Sequence, residues 1–398
     1  MTSASPPPAT PSHRMVWLDA NRILAAVGIV LIHSSTNFSG APFKSPDPLM
    51  NLATAFVRSV AEISSAEIFL VFSLFLLAHK LEKGDTAYGS IVLGQAKRLL
   101  LPFLIWTLFF AFFRLLKASA FGYSEAIWNE LQAARSWVGY LLTGSAQYHL
   151  HFLPTLFILI LAYPCMRMAR RYPILGLLLI PLLYLMDFVQ RWMWGAITDP
   201  FMRVMALQGV KDLGYLGYGM QAFSLYAWWK RGADREESRD LLRLLLLLVG
   251  LAFLTTLVYA FSVAKAGSWV DRNGGAFYAN RLMPVLVFGA FMAASHLNWS
   301  PLFSRLSPYT FGVYLLHPIL IDLFDIVAFT ERWDLSPLVM IFSKFALVVP
   351  GSFALAYGFG KLKPLAFLIG LERAAEPRLA PAPAQGQQTP AESPAPSA

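Results

Sequence analysis

The sequence predicts an all-α, polytopic membrane protein of about ten transmembrane helices, and three observations carry that prediction. Hydrophobic residues make up 57% of the 398 and charged residues only 14%, for a mean hydropathy of +0.53, which is too apolar for an ordinary soluble domain. Apolar stretches recur at the ~17–25 residues needed to cross a bilayer. Basic residues gather in the short stretches between them, notably 166–171 and 230–243, as in loops retained in the cytoplasm. That pattern accounts for the net charge of +9 with no need for a nucleic-acid partner. The single cysteine, Cys165, excludes an internal disulfide and a cysteine-based metal site. No zinc motif, Gly-rich phosphate loop or nucleophile elbow occurs, so no metal and no bound cofactor are expected.

Taken in order, residues 1–14 are rich in Pro, Ser and Ala and read as a disordered tail. The apolar run that follows is interrupted by Asp19 and Arg22 and has no convincing cleavage site, so a retained helix is expected rather than a signal peptide. Spans are placed at 15–35, 62–80, 99–118, 150–167, 173–190, 212–229, 241–262, 277–297, 309–329 and 335–359. The sixth is the weakest, because Gly214, Tyr215, Gly217, Tyr218 and Gly219 suit close helix packing or a cavity wall better than lipid contact. An even count puts both termini on one side, and the two basic stretches make that side the cytoplasm. Between the third and fourth spans, Ser124 to Leu142 is expected to form an interfacial amphipathic helix anchored by Trp128 and Trp137. The membrane domain is bounded at 15–362, and 363–398 turns into Pro-, Ala- and Gln-rich sequence that cannot bury a core.

The first span carries the chemistry. From Arg22 to His33 is eleven positions, and at ~100° per residue this falls only ~20° past three full turns. Both side chains therefore lie on one face, separated by ~16 Å along the axis at ~1.5 Å per residue. Asp19, three residues before Arg22, joins the same stripe. Each residue alone has a plain explanation: Asp19 and Arg22 pair near a headgroup, and His33 marks the opposite interface. Three aligned ionisable groups in one apolar helix point instead to a cavity or partner that meets their cost.

The spacing Asp19-x-x-Arg22-x-x-Ala25 followed by His33 resembles the opening helix of the acyltransferase-3 family, integral membrane O-acyltransferases that typically use acyl-CoA and act on cell-surface glycans. Four further segments resemble the family in order. The run Glu67-Ile68-Phe69-Leu70-Val71-Phe72-Ser73-Leu74-Phe75-Leu76 is similar to its aromatic stretch ending in Ser-Gly-Phe-Leu, with Leu74 in place of the Gly. Next, Lys97 and Arg98 before Leu99–Trp106 resemble the basic entry to its third helix, and His149-Leu150-His151-Phe152-Leu153 its His-Leu-Trp-Phe-Leu, with His151 where Trp is usual. Finally, Ser307–Pro318, with Tyr314 and His317 at i, i+3, is similar to its Ser-Tyr-x-x-Tyr-Leu-x-His-Pro helix.

The resemblance implies a multi-pass enzyme of the bacterial plasma (inner) membrane that moves an acyl group, most simply acetyl, from cytoplasmic acyl-CoA to a hydroxyl of an extracytoplasmic glycan or lipid-linked sugar. His33 is then the general base, an imidazole being suited to neutral pH, with Glu67 as its orienting or alternative catalytic carboxylate. Arg22, Arg98 and Lys97 are the donor-binding cations, suited to CoA phosphates. Asp19, Ser73, His151, Tyr314 and His317 are supporting residues. Structural readings stand beside these: Glu67 as a protonated carboxyl or the partner of an Arg, Lys97 as a positive-inside residue, His149 as an interfacial imidazole, and Tyr314–His317 as a packed hydrogen-bonded pair. A transporter or flippase of a polar or lipid-linked substrate is the alternative from another class, since polar stripes also mark transport paths.

Overall fold

Helix α1 (Val16–Ser34) is the axis around which the bundle is built. The computed structural model describes residues 14–371 apart from 83, 85, 86, 233 and 273. Of the expected tails at 1–14 and 363–398, residues 1–13 and 372–398 therefore lie outside the described residues. Among those described the fold is helical, and the sole β feature is one bridge between Thr36 and Pro42.

After α1 come α2 (Pro48–Ala61), a 3-10 turn at Glu62–Ser64, α3 (Glu67–Glu82) and the 34-residue α4 (Tyr88–Phe121). Pro48 sits at the first turn of α2, where its missing N–H costs nothing, and Asp47 caps that helix through the Leu49 amide at 2.9 Å. Gly122, at φ +81°, ends α4 in the left-handed conformation that only glycine adopts cheaply. The expected interfacial helix over 124–142 forms as two pieces, α5 (Ser124–Gln132) and α6 (Ala134–Thr143), separated at the extended Ala133. Trp128 is exposed, whereas Trp137 turns inward and donates to the Leu131 carbonyl at 2.8 Å.

The expected single span at 150–167 is also broken. It forms α7 (Phe152–Leu161) and α8 (Tyr163–Arg171), bent by 65° beside Pro164, which sits in the first turn of α8 where its missing N–H costs nothing. A 3-10 turn at Pro173–Leu178 leads to α9 (Leu179–Ala196), α10 (Pro200–Arg231), α11 (Arg235–Ala266) and α12 (Gly275–Ala293). The short α13 (Pro301–Leu306) then precedes α14 (Thr310–Thr330) and α15 (Pro337–Lys361).

Eight stretches among the described residues are long and apolar enough to span a membrane, or nine if the bent α7–α8 pair is one span. The expected tenth falls within α10, which is long enough but too polar to pass on composition. Its glycines explain why. A Cβ on Gly217 would stand 2.7 Å from the Leu179 backbone, so α10 packs against its neighbour, as the sequence suggested, instead of facing lipid. By contrast α11 presents its long leucine face outward, with only 11% of its apolar window buried.

α1 touches α2, α3, α12, α13, α14 and α15, and Ala25, Ala26 and Val30 are wholly buried. It packs tightly at Gly28, where a Cβ would collide with Ser64 of the turn before α3. The chain beyond α15 does not leave the bundle at 363. Residues 366–369 form a 3-10 turn with Ile369 fully buried, and Trp106 donates to the Leu368 carbonyl at 2.9 Å. The sequence around Pro364 reads as a breaker, but the following Ala-Phe-Leu-Ile is apolar enough to dock.

Candidate active site

Two cavities open toward opposite ends of α1. The first, about 160 Å³, is lined by Arg22, Ser73, Lys80, Gln95 and Arg98 among apolar walls that include Phe69, Phe72, Phe152 and Phe311. The second, about 510 Å³, is lined by His33, Thr36, Asn37, Gln147 and Tyr148, with Arg58, Lys117, Asp322 and Asp325 around them. The helical stripe predicted from spacing therefore reaches both, with Arg22 in one cavity and His33 in the other.

At the Arg22 end, Asp19 is not the partner of Arg22. It accepts from Arg14 at 2.7 Å, from Ser304 at 2.9 Å and from Ser307 at 2.6 Å, tying α1 to α13 and the turn before α14. The Arg22 guanidinium instead lies 5.3 Å above the Phe72 ring, and its Nε is buried without a hydrogen-bond partner. Arg98 and Lys80 line the same space from α4 and α3. Lys97, grouped with Arg98 in the sequence, is exposed and does not line the cavity: neighbours in a helix point ~100° apart. Lys80 takes the place expected of it.

This is also the end that holds the basic stretches. Glu82, two residues beyond Lys80, receives Arg170 at 3.3 Å and forms short contacts with Tyr226 and Lys230. The loops around 170 and 230 thus gather at the Arg22 end of the bundle.

At the other end His33 is half-buried and stacked among rings, 4.3 Å from Tyr148 and 5.4 Å from His317. His317 is fully buried, and its Nδ1 sits 2.8 Å from the Tyr314 carbonyl and 3.2 Å from that of Val313. Carbonyls only accept, so this nitrogen carries the proton, and Nε2 is left as an unpartnered lone pair. His149, expected as an interfacial imidazole, is instead 2% exposed, 5.6 Å from His317 and 5.4 Å from Tyr314. The Tyr314 hydroxyl donates to the His149 carbonyl. The structure thus adds His149 to the predicted His33, Tyr314 and His317.

Glu67 and His151 fall outside this group. Glu67 is ion-paired with Arg281 and accepts the Tyr215 hydroxyl at 2.6 Å, in a network joining α3, α10 and α12. It lines neither cavity. With His151 it borders a separate small pocket between α3 and α7, and His151 is held by the Tyr148 carbonyl at 2.8 Å. Glu67 therefore does not orient His33, and the reading that survives is the carboxylate paired with an arginine.

Sequence reasoning passed over the charges around the His33 cavity. Lys117 contacts Asp322 at 2.7 Å and Asp325 at 3.5 Å, while the buried Lys344 contacts Asp325 at 2.6 Å. Gln147 donates to Asp322 at 3.1 Å. Two acids at i, i+3 in an otherwise apolar α14 were the available signal, since such charges need partners inside a bundle. No group of residues suited to a metal ion is found among those described.

A family model described as an acyltransferase domain matches residues 15–357. The chain belongs to the acyltransferase-3 family. No curated protein and no solved structure matches it. It is accordingly a membrane acyltransferase, and membership favours acyl transfer over the transporter alternative.

Proposed function

We propose that this acyltransferase takes an acyl group, most simply acetyl, from a CoA thioester entering the Arg22 cavity and transfers it to a hydroxyl of a glycan or lipid-linked sugar in the His33 cavity. The observation that carries the reading is the division of one helix between the two spaces: cations with no carboxylate partner among the described residues at one end, a half-buried imidazole at the other. Arg22 and Arg98, with Lys80 beside them, suit the phosphates of CoA. Arg22 has a buried Nε in want of an acceptor, which a phosphate would supply. The Arg22 end is the cytoplasmic one in this reading, because the basic stretches near 170 and 230 lie there. The enzyme then resides in the bacterial plasma membrane with both ends inside, and CoA itself does not cross.

In the transfer, His33 takes the proton of the acceptor hydroxyl as its oxygen attacks the thioester carbonyl. The carbon–oxygen bond forms, the carbon–sulfur bond breaks, and the proton returns to the departing CoA thiolate. The alcohol becomes an ester and the thioester a thiol, with no redox change and no cofactor. Carboxylates and amides around the His33 cavity suit a polyhydroxylated acceptor, and its ion-paired charges leave room for a neutral one.

The test is acyl transfer from acyl-labelled acetyl-CoA by membranes containing the full chain. His33→Ala is expected to lower transfer by roughly 10²–10⁴-fold, the range for loss of a general base. His33→Gln preserves size and hydrogen bonding but cannot take the proton, and is expected to be nearly as inactive. Retention of most transfer by the Gln variant would remove the base role from His33.

A further inference from the structure

Between the two cavities stands a closed triangle of aromatic rings. Phe69 and Phe152 line the Arg22 cavity, and their centroids are 6.1 Å apart. Tyr314 completes the triangle at 5.5 Å from each. It also reaches the histidines, 5.4 Å from His149 and 6.2 Å from His317. All three rings are buried, at 4%, 6% and 2% exposure. Through them an unbroken run of ring contacts leads from the wall of the donor cavity to the imidazoles.

From this geometry, and resting on the donor route just proposed, we infer that Phe69, Phe152 and Tyr314 set the size of the acyl group and restrict the donor to short acyl thioesters. A donor whose phosphates stay with Arg22 and Arg98 must advance its thioester past these rings, and the acyl group is the leading end. Tyr314 cannot readily yield, because its hydroxyl is anchored on the His149 carbonyl. Phe69 and Phe152 have no polar anchor, and each sits in the first turn of its helix, beside a loop. They are the rings that give way. A ring displaced by the width of a methyl group admits acetyl, whereas every further methylene needs space that close-packed rings already fill. The three residues are specificity determinants and touch the acyl group without taking part in proton transfer.

The experiment uses membranes of the source cells carrying the full chain, with acetyl-, butyryl- and hexanoyl-CoA labelled in the acyl group. Label reaching the acceptor fraction and free CoA thiol are both measured. Wild type is expected to prefer acetyl over hexanoyl by about 100-fold, within the discrimination a hydrophobic pocket achieves per methylene or few. Phe69→Ala and Phe152→Ala are expected to narrow that ratio by about tenfold or more, chiefly by raising hexanoyl transfer, since removing a ring opens room for the chain. Phe69→Leu keeps apolar bulk, guards against a folding failure, and is expected to fall between. Equal use of all three donors by wild type, or a ratio unmoved in the variants, overturns the selector while leaving the acyl-CoA route standing. No transfer of any acyl group by wild type would overturn that route, and the selector with it.

Discussion

Arg22→Ala separates a donor-binding cation from a structural one. Among the described residues Arg22 has no carboxylate partner, because Asp19 is occupied by Arg14, Ser304 and Ser307. What it offers the fold is the contact over Phe72, worth ~0.5–2 kcal/mol, set against the cost of leaving its Nε buried and unpartnered. These oppose each other, so thermal stability is expected to change little. What it offers a phosphate is a charge-assisted hydrogen bond of ~1.5–3 kcal/mol. At 1.36 kcal/mol per tenfold, that is a loss of roughly 10–150-fold in kcat/KM for acetyl-CoA. The comparison donor is acetyl-pantetheine, which carries the thioester arm but no phosphate. The variant is expected to use it within about threefold of wild type, since no charge-assisted bond is at stake. Membranes with matched protein levels, assayed for thiol release and acyl transfer with both donors, give the ratio directly. Equal losses with the two donors would refute the reasoning and make Arg22 a residue of the helix bundle alone.

Two other expectations are independent of that result. Glu67→Gln should act through stability more than chemistry: it leaves Arg281 without its carboxylate, a change costing ~3–5 kcal/mol when a buried pair is broken. Adding Arg281→Met should recover much of the melting temperature, and a loss of transfer that persisted at restored stability would return Glu67 to the catalytic group. For topology, cysteine labelling on a Cys165→Ser background should find a cysteine at position 235 accessible from the cytoplasm and one at 130 from outside, and the reverse pattern would invert the donor side.

The fold was legible wherever hydropathy alone decides it. Apolar length located the spans, and the glycine-rich face of α10 was readable as packing because a Cβ-free surface has a use only where another helix comes close. Breaks within spans were not readable to the same degree. Pro102, Pro284, Pro318 and Pro350 lie inside continuous helices, whereas Pro164 coincides with a 65° bend. Proline removes the same N–H in every case. Whether the helix then bends depends on tertiary neighbours, about which a linear pattern says nothing.

The site divides along the same line. Arg22 and His33 were found because their relation is intrahelical, fixed by 3.6 residues per turn before any packing occurs. The resemblance sets Glu67 beside His33, yet its partner Arg281 is more than two hundred residues away in sequence and arrives only through α12. His149 shows the reverse case. It sits just before α7 and has the local pattern of an interfacial histidine, but the Tyr314 hydroxyl draws its backbone inward and buries the ring beside His317. An ionisable residue in a membrane helix announces that it needs a partner, and the sequence names that partner only when both lie on one helix. Asp322 and Asp325 follow the rule: their i, i+3 spacing was visible, but Lys117 and Lys344, which make them affordable inside the bundle, come from two other helices.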